Sequence, residues 1–219
     1  MNRGKFITFE GPEGGGKTTQ ELRLIRRLET EGREVLYTRE PGGTPTGEAI
    51  REILQYDKAG EPPCAQSEVL LFAASRAQLV RHVILPALER GLLVVCDRFV
   101  DSTTAYQGYG RGFPLEQILA INQFAIDGAV PDLTILLDVS LDRGFDRLAQ
   151  RTGTTRPLDR IEREERAFHE KVRAGYLDMA RRWPERFRVV NAARDVAAVE
   201  QDVWKLVSNA LAIPPRAGA

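Results

Sequence analysis

The sequence has little cysteine and histidine, no excess charge of either sign, and no long apolar run. Its two cysteines, Cys64 and Cys96, stand apart without CxxC spacing, which argues against a disulfide framework or a zinc site. Cys96 ends an apolar run and reads as core. The two histidines, His82 and His169, fall in charged helical stretches and read as surface residues. Lys plus Arg number 31 and Asp plus Glu number 31, so the net charge is zero. A nucleic-acid coat would show a basic excess, so any anion site has to be local. No stretch reads as long enough to span a bilayer, and the N-terminal residues lack a signal-peptide core. These absences leave a cytoplasmic enzyme as the default expectation, with neither nucleic acid nor membrane as a partner.

What is present is an alternation of apolar strands and amphipathic helices. Strands are expected at 6–10, 34–38, 92–96, 133–139 and 188–190. Helices are expected at 18–31, 46–55, 66–90 with an interruption near Pro86, 114–125, 141–150, 160–182 and 196–211. The first helix carries Leu22, Ile25 and Leu28 on one face and stops at Gly32. The run Leu92–Cys96 is apolar on both faces, as a strand covered on both sides requires. The pattern predicts an α/β fold: a five-stranded parallel sheet with helices on both faces, in one domain spanning 1–213. A Gly/Thr/Arg-rich segment at 151–158 reads as a short lid, and 214–219 as a frayed tail. Ligands in such folds bind beyond the carboxyl ends of the strands.

Gly11-Pro12-Glu13-Gly14-Gly15-Gly16-Lys17-Thr18 matches GxxxxGK[ST] between a strand and a helix, the context a phosphate-binding loop needs. Its glycines let backbone N–H groups turn toward phosphate oxygens, and the helix N-terminus adds partial positive charge. Lys17 reaches the β- and γ-phosphates of a nucleoside triphosphate, the Thr18 hydroxyl ligates Mg2+, and Thr19 follows in the same turn. No guanine-selecting NKxD motif occurs, which favours ATP.

Four further groups bear on the phosphoryl acceptor. Asp97-Arg98 follows the third strand: Asp97 can hold Mg2+ through water and Arg98 can grip a phosphate, or the two form a structural ion pair. Phe72 and Arg76, four apart, share a helix face; a ring can stack on a base while a guanidinium donates to its carbonyl, or they are a core ring and a surface charge. Thr38-Arg39-Glu40-Pro41-Gly42-Gly43-Thr44 places an arginine in a tight loop or is an ordinary turn. Arg151 and Arg156, before Leu158-Asp159-Arg160-Ile161-Glu162, can close over a triphosphate or lie in solvent.

Taken in order, the phosphate loop, TREPGGT, FxxxR, Asp97-Arg98 with Asp101-Ser102-Thr103-Thr104-Ala105-Tyr106-Gln107-Gly108, and LDRIE resemble bacterial thymidylate kinases across nearly the whole chain. The resemblance implies a P-loop NTPase fold, a homodimer, and transfer of the γ-phosphoryl group of ATP to dTMP. It implies that Glu13 accepts a hydrogen bond from the sugar 3′-hydroxyl and that Arg39, Arg51 and Arg98 surround the acceptor phosphate. Phe72 then stacks on thymine, Arg76 donates to O4, Thr103 and Gln107 contact the base, and Tyr106 crowds the sugar 2′ position. A cis Glu40–Pro41 bond is a further expectation. Catalytic charge falls to Lys17, Arg98, Arg151 and Arg156. The sequence departs from some relatives at Gly14, where those carry an arginine, so the lid has to supply that charge. Another P-loop deoxynucleoside or nucleoside monophosphate kinase, or a nucleotide-switch ATPase, is the alternative; the acceptor-side arginines count against the switch.

Overall fold

The computed structural model describes residues 3–56, 60–150 and 159–213. The lid assigned to 151–158, with Arg151 and Arg156, and the tail at 214–219 lie outside the described residues.

Strand β1 (Phe6–Glu10) leads through the glycine loop into α1 (Lys17–Thr30), and β2 (Val35–Arg39) into α2 (Pro45–Tyr56). A long helical stretch then runs through α3 (Ala65–Leu79), a π-helical turn (Val80–Ile84) and α4 (Leu85–Glu89) to β3 (Leu93–Asp97). Next come α5 (Val100–Thr103), which continues as a π-helical segment (Thr104–Gly110), then α6 (Leu115–Ile126) and β4 (Leu133–Asp138). The chain closes with α7 (Leu141–Ala149), α8 (Arg166–Arg182), β5 (Phe187–Asn191) and α9 (Val196–Ala210). All strand pairs are parallel, in the order β2-β3-β1-β4-β5, as the alternation predicts.

Side chains alternate across a strand, so β1 feeds both faces. Ile7 and Phe9 join Leu24, Leu28, Val203 and Val207 under α1 and α9, while Phe6 packs with Leu79, Ile84, Leu88 and Phe99 beneath the long helix. A third cluster joins Tyr106 and Leu136 to Phe168, Tyr176 and Met179 of α8. Register brings Glu10, Arg39 and Asp97 to one end of the sheet: Asp97 faces Phe9 on one side and Arg39 on the other. That end is the carboxyl edge, where the phosphate loop also begins.

Several expectations need correction. The long helix widens over Val80–Ile84, just before Pro86, which has no N–H to give a carbonyl four residues back and whose ring crowds that carbonyl. The stretch Ala65–Glu89 is, by length and composition, apolar enough to cross a membrane, contrary to the reading that no such stretch exists. In the fold it packs on β3, and Val69, Leu79, Val80 and Ile84 are buried. The segment 100–110, to which the sequence pattern assigned no element, is helical. The helix expected at 160–182 begins at Arg166, not Arg160, because the Asp159 side chain accepts from the N–H groups of Ile161 (3.0 Å) and Glu162 (2.8 Å) while Glu162 accepts from the N–H of Asp159 (2.9 Å). This reciprocal capping closes a separate turn. His169 is buried, with its ring edge-on to Phe145 and Phe168 at 5.4 Å each, and burial lowers its pKa. Cys96 is buried as expected and His82 is exposed.

Candidate active site

The phosphate loop needs backbone conformations that only glycine adopts without strain. Gly11, Gly14 and Gly16 have φ of 140°, 70° and 84°, and Gly16 starts α1. A Cβ on Gly14 would lie 2.2 Å from the carbonyl oxygen of Gly144 in α7. The close contact of loop and helix therefore leaves no room for a side chain at 14, which gives a physical reason for the departure noted there. Arg147 of α7 instead reaches the loop from outside, donating to the Gly14 carbonyl (3.2 Å). Lys17 folds back over the loop and donates to the carbonyls of Gly11 (3.2 Å) and Pro12 (3.3 Å); burial, then the neighbouring Arg98, lowers its pKa. An anionic phosphate beside it would offset both effects.

Asp97 and Arg98 do not pair with each other. Arg98 adopts φ 65°, rare for a residue with a side chain and typical of functional positions. Its Nη2 donates to Glu13 at 2.5 Å, and its Nη1 to the Gly11 carbonyl, Ser102 and Tyr176, each at 3.2 Å. Burial pushes the Glu13 carboxyl up, but Arg98, Lys17 and the Tyr106 hydroxyl (2.9 Å) outweigh it and bring it down to about 2. Glu13 is thus an anion with accepting capacity left after two bonds. Asp97 Oδ1 is buried with no hydrogen-bond partner among the described residues, while Thr18 is exposed at the start of α1. An orphaned carboxylate oxygen and a hydroxyl, both hard donors, fit a water-mediated Mg2+ site. Behind Asp97, Glu21 accepts from the Tyr37 hydroxyl at 2.9 Å; burial, reinforced by Asp97, raises its pKa to about 8.

Glu13, Lys17, Thr18, Asp97 and Arg98 line one cavity of about 230 Å3 together with Arg39, Glu40, Arg51, Phe72, Arg76, Thr103, Tyr106 and Gln107. Arg39, Arg51, Phe72, Arg76, Arg98, Thr103, Tyr106 and Gln107 therefore meet the phosphate loop in a single space, while Arg151 and Arg156 lie outside the described residues. The Glu40–Pro41 bond is cis, as expected. Arg39 is bidentate to Glu48 (2.7 and 3.0 Å), and Arg51 donates to the Pro41 carbonyl (2.9 Å). Arg76, far from being a surface charge, is 1% exposed. Its Nε and Nη2 donate to Glu40, Nη2 also faces the Phe99 carbonyl and Thr103, and Nη1 donates to Asn122. A guanidinium has five N–H groups, so among the described residues these partners leave one Nη1–H without an acceptor. Burial pushes the Glu40 carboxyl up to about 7 against the pull of Arg76.

Residues outside the sequence reading hold these groups in place. Glu10 accepts from the N–H of Phe99 (2.7 Å), from Ser102 Oγ (2.6 Å) and from the Tyr176 hydroxyl (2.8 Å), fixing the turn that follows Arg98. Burial, then Asp101, raises its pKa to about 7. The sequence carried a signal here: a carboxylate closing an otherwise apolar strand next to a phosphate loop. Glu68, buried in α3, accepts from Gln107 (2.8 Å), Arg111 and Arg160. It precedes Phe72 by four residues and Arg76 by eight, so helical spacing places it on the same face.

The model of the thymidylate kinase family matches residues 9–203. The thymidylate kinase of Pelotomaculum thermopropionicum is 51% identical over 210 residues, covering 95% of each chain. Those of Syntrophotalea carbinolica and Deinococcus radiodurans are each 48% identical, covering 95% of this chain and 97% and 98% of theirs. With its phosphate loop, its acceptor-side arginines and a family match over most of its length, the chain belongs to the thymidylate kinase family.

Proposed function

We propose that this protein transfers the γ-phosphoryl group of ATP to dTMP, giving ADP and dTDP. The observation that carries this is the single cavity in which a phosphate loop faces Arg98 and a Phe72/Arg76 pair, in a chain 51% identical to a thymidylate kinase. An acceptor phosphate oxygen forms the new P–O bond as the bond to the ADP oxygen breaks, in line and without a covalent enzyme intermediate. Phosphate oxygens are nucleophilic at neutral pH, so no general base is needed. Arg98, locked by Glu13, Ser102 and Tyr176, holds the acceptor phosphate at the junction with the loop. Lys17 neutralises charge on the β- and γ-phosphates, and Arg39 and Arg51 take the outer side of the acceptor phosphate. Thr18 and Asp97 would hold Mg2+, which when bound neutralises β- and γ-oxygens. Arg151 and Arg156 are assigned the remaining charge at the transferred group.

The base end is read by stacking on Phe72 and by the remaining Nη1–H of Arg76, which suits the O4 of thymine. Thr103 accepts from Arg76, which leaves its own proton to be donated to the base. Glu13 receives the 3′-hydroxyl. Tyr106, pinned to Glu13 through its hydroxyl, presents its ring toward the sugar and disfavours ribose. We also assign a homodimer. Val69 and Ala73 of α3 are buried within the chain, but Leu70 of α3 and Leu119 and Phe124 of α6 are exposed on two helices that pack together.

Release of ADP from ATP and Mg2+, followed against a panel of nucleoside monophosphates and free thymidine, tests the reading. Fast turnover is expected with dTMP, weak turnover with dUMP and turnover of dCMP lower by about 10⁴ in kcat/KM. Turnover of thymidine in place of dTMP would transfer the assignment to a nucleoside kinase. ADP release that ignores every acceptor would point to a switch ATPase.

A further inference from the structure

Glu68 and Arg160 do not line the cavity, whereas Gln107 does. Glu68 therefore lies behind the wall that Gln107 forms. Both Glu68 and Gln107 are 1% exposed, and the amide nitrogen Nε2 of Gln107 donates to Glu68 Oε1 at 2.8 Å. The two ends of a glutamine amide are close in shape, and either could in principle face the base. Chemistry removes the ambiguity here. An ionised carboxylate only accepts hydrogen bonds, so the NH2 end of Gln107 has to turn toward Glu68. Among the described residues nothing donates to the opposite end, the carbonyl Oε1.

The carboxylate is kept ionised by its surroundings. Burial alone would raise the pKa of Glu68, but donors from Arg111, Gln107 and Arg160 bring it below the ordinary value. Arg111 donates from Nε (3.3 Å) and Nη2 (3.2 Å) and is itself paired with Glu164 at 2.6 Å. Arg160 donates from Nη2 at 2.5 Å and is anchored through Nε to the Leu54 carbonyl of α2. Two guanidinium groups thus secure one buried anion, and the anion secures the amide.

We propose that Glu68 is a specificity-determining positioning residue: it fixes the Gln107 amide with its carbonyl toward the acceptor base, so the site selects a pyrimidine that carries an N3–H. Thymine and uracil present a donor at N3 and an acceptor at O4. Cytosine presents an acceptor at N3 and a donor amine at C4. The fixed carbonyl of Gln107 and the remaining N–H of Arg76 form an acceptor–donor pair that complements the first pattern and opposes both groups of the second. Neither Glu68 nor Arg160 touches the base in this scheme. The inference rests on the dTMP reading and adds the residue that sets the orientation of one of its contacts.

Glu68→Gln tests it, because a glutamine at 68 can offer either end of its amide and so frees Gln107 to turn. The ratio of kcat/KM for dTMP to that for dCMP is expected to fall about tenfold or more, with the dTMP loss mainly in KM. A purely structural role would slow both acceptors in parallel and leave the ratio unchanged. A second measurement needs no variant: N3-methyl-dTMP should compete with dTMP about 100-fold more weakly than dTMP itself binds. An unchanged dTMP:dCMP ratio in a folded Glu68→Gln variant, or N3-methyl-dTMP binding as tightly as dTMP, overturns the inference while leaving the dTMP kinase reading standing. Wild-type protein that turned over neither dTMP nor dUMP would sink that reading, and the inference with it.

Discussion

Replacing Arg98 by methionine separates two roles that the structure gives one side chain. In catalysis Arg98 is assigned to charge in the transferring phosphoryl system, and loss of such an arginine costs about 10³ to 10⁵ in rate. In the fold it neutralises Glu13, with which it forms a 2.5 Å pair whose side chains are only 17% and 16% exposed. Glu13 sits at about 2 against an ordinary 4.5, roughly 3 kcal/mol of linkage. A carboxylate with a depressed pKa contributes stability that is present above 4.5 and lost as pH falls toward 2. Arg98→Met should therefore lose about 3 kcal/mol at pH 7, within the range for breaking a buried pair, and the gap to wild type should narrow below about pH 4.5. Adding Glu13→Gln removes the stranded anion, so the double variant should regain most of the stability but none of the activity. Urea unfolding across pH reads the first effect and ADP release with dTMP the second. A fall in kcat/KM of less than tenfold in Arg98→Met would refute the catalytic role. A double variant as unstable as the single one would refute the linkage reasoning.

Glu21 should show the opposite pH behaviour. Its folded pKa of about 8 lies above the ordinary 4.5, so native protein holds the proton more tightly, and its contribution falls as pH rises from 4.5 to 8. Glu21→Gln should thus gain about 2 to 3 kcal/mol relative to wild type between pH 6 and pH 9, measured by urea unfolding; a difference independent of pH refutes the assignment. Phe124 is 89% exposed on α6. Phe124→Glu should convert the protein to monomers in sedimentation velocity with little change in thermal midpoint, and a variant that still sediments as a dimer removes α6 from the interface.

The features legible in the sequence are those written locally. The phosphate loop, the apolar strands and the Phe72–Arg76 spacing each occupy a few consecutive residues or one helical turn, and the structure brings the loop and the Phe72/Arg76 pair into one cavity. The helix at 100–110 was not legible, because its stability comes from packing of Tyr106 and Ala105 into a cluster with α8 rather than from its own threonines and glycines. His169 looked solvated because its neighbours in sequence are charged, yet the neighbour that buries it, Phe145, belongs to α7.

The deeper loss concerns how charges are held. Tyr176 reaches Glu10 across 166 positions, and Arg160 reaches Glu68 across 92. No local period reports such a pairing, and a lone glutamate in a sequence reads as surface. Buried carboxylates are costly unless donors surround them, so each marks a place where the fold has spent stability to hold something still. Glu10 holds the backbone around Arg98, Glu40 holds Arg76, and Glu68 holds Gln107. For Glu10 and Glu68 the residue that faces the cavity was visible in the sequence and the carboxylate behind it was not; Glu40 lines the cavity itself, and what the sequence did not report was its pairing with Arg76. The chemistry of the visible residue depends on the hidden one: an arginine with one N–H left over, or a glutamine with its carbonyl turned inward, reads a different ligand from the same side chain left free. In the proposed scheme acceptor selectivity therefore resides as much in Glu40 and Glu68 as in the side chains that meet the base.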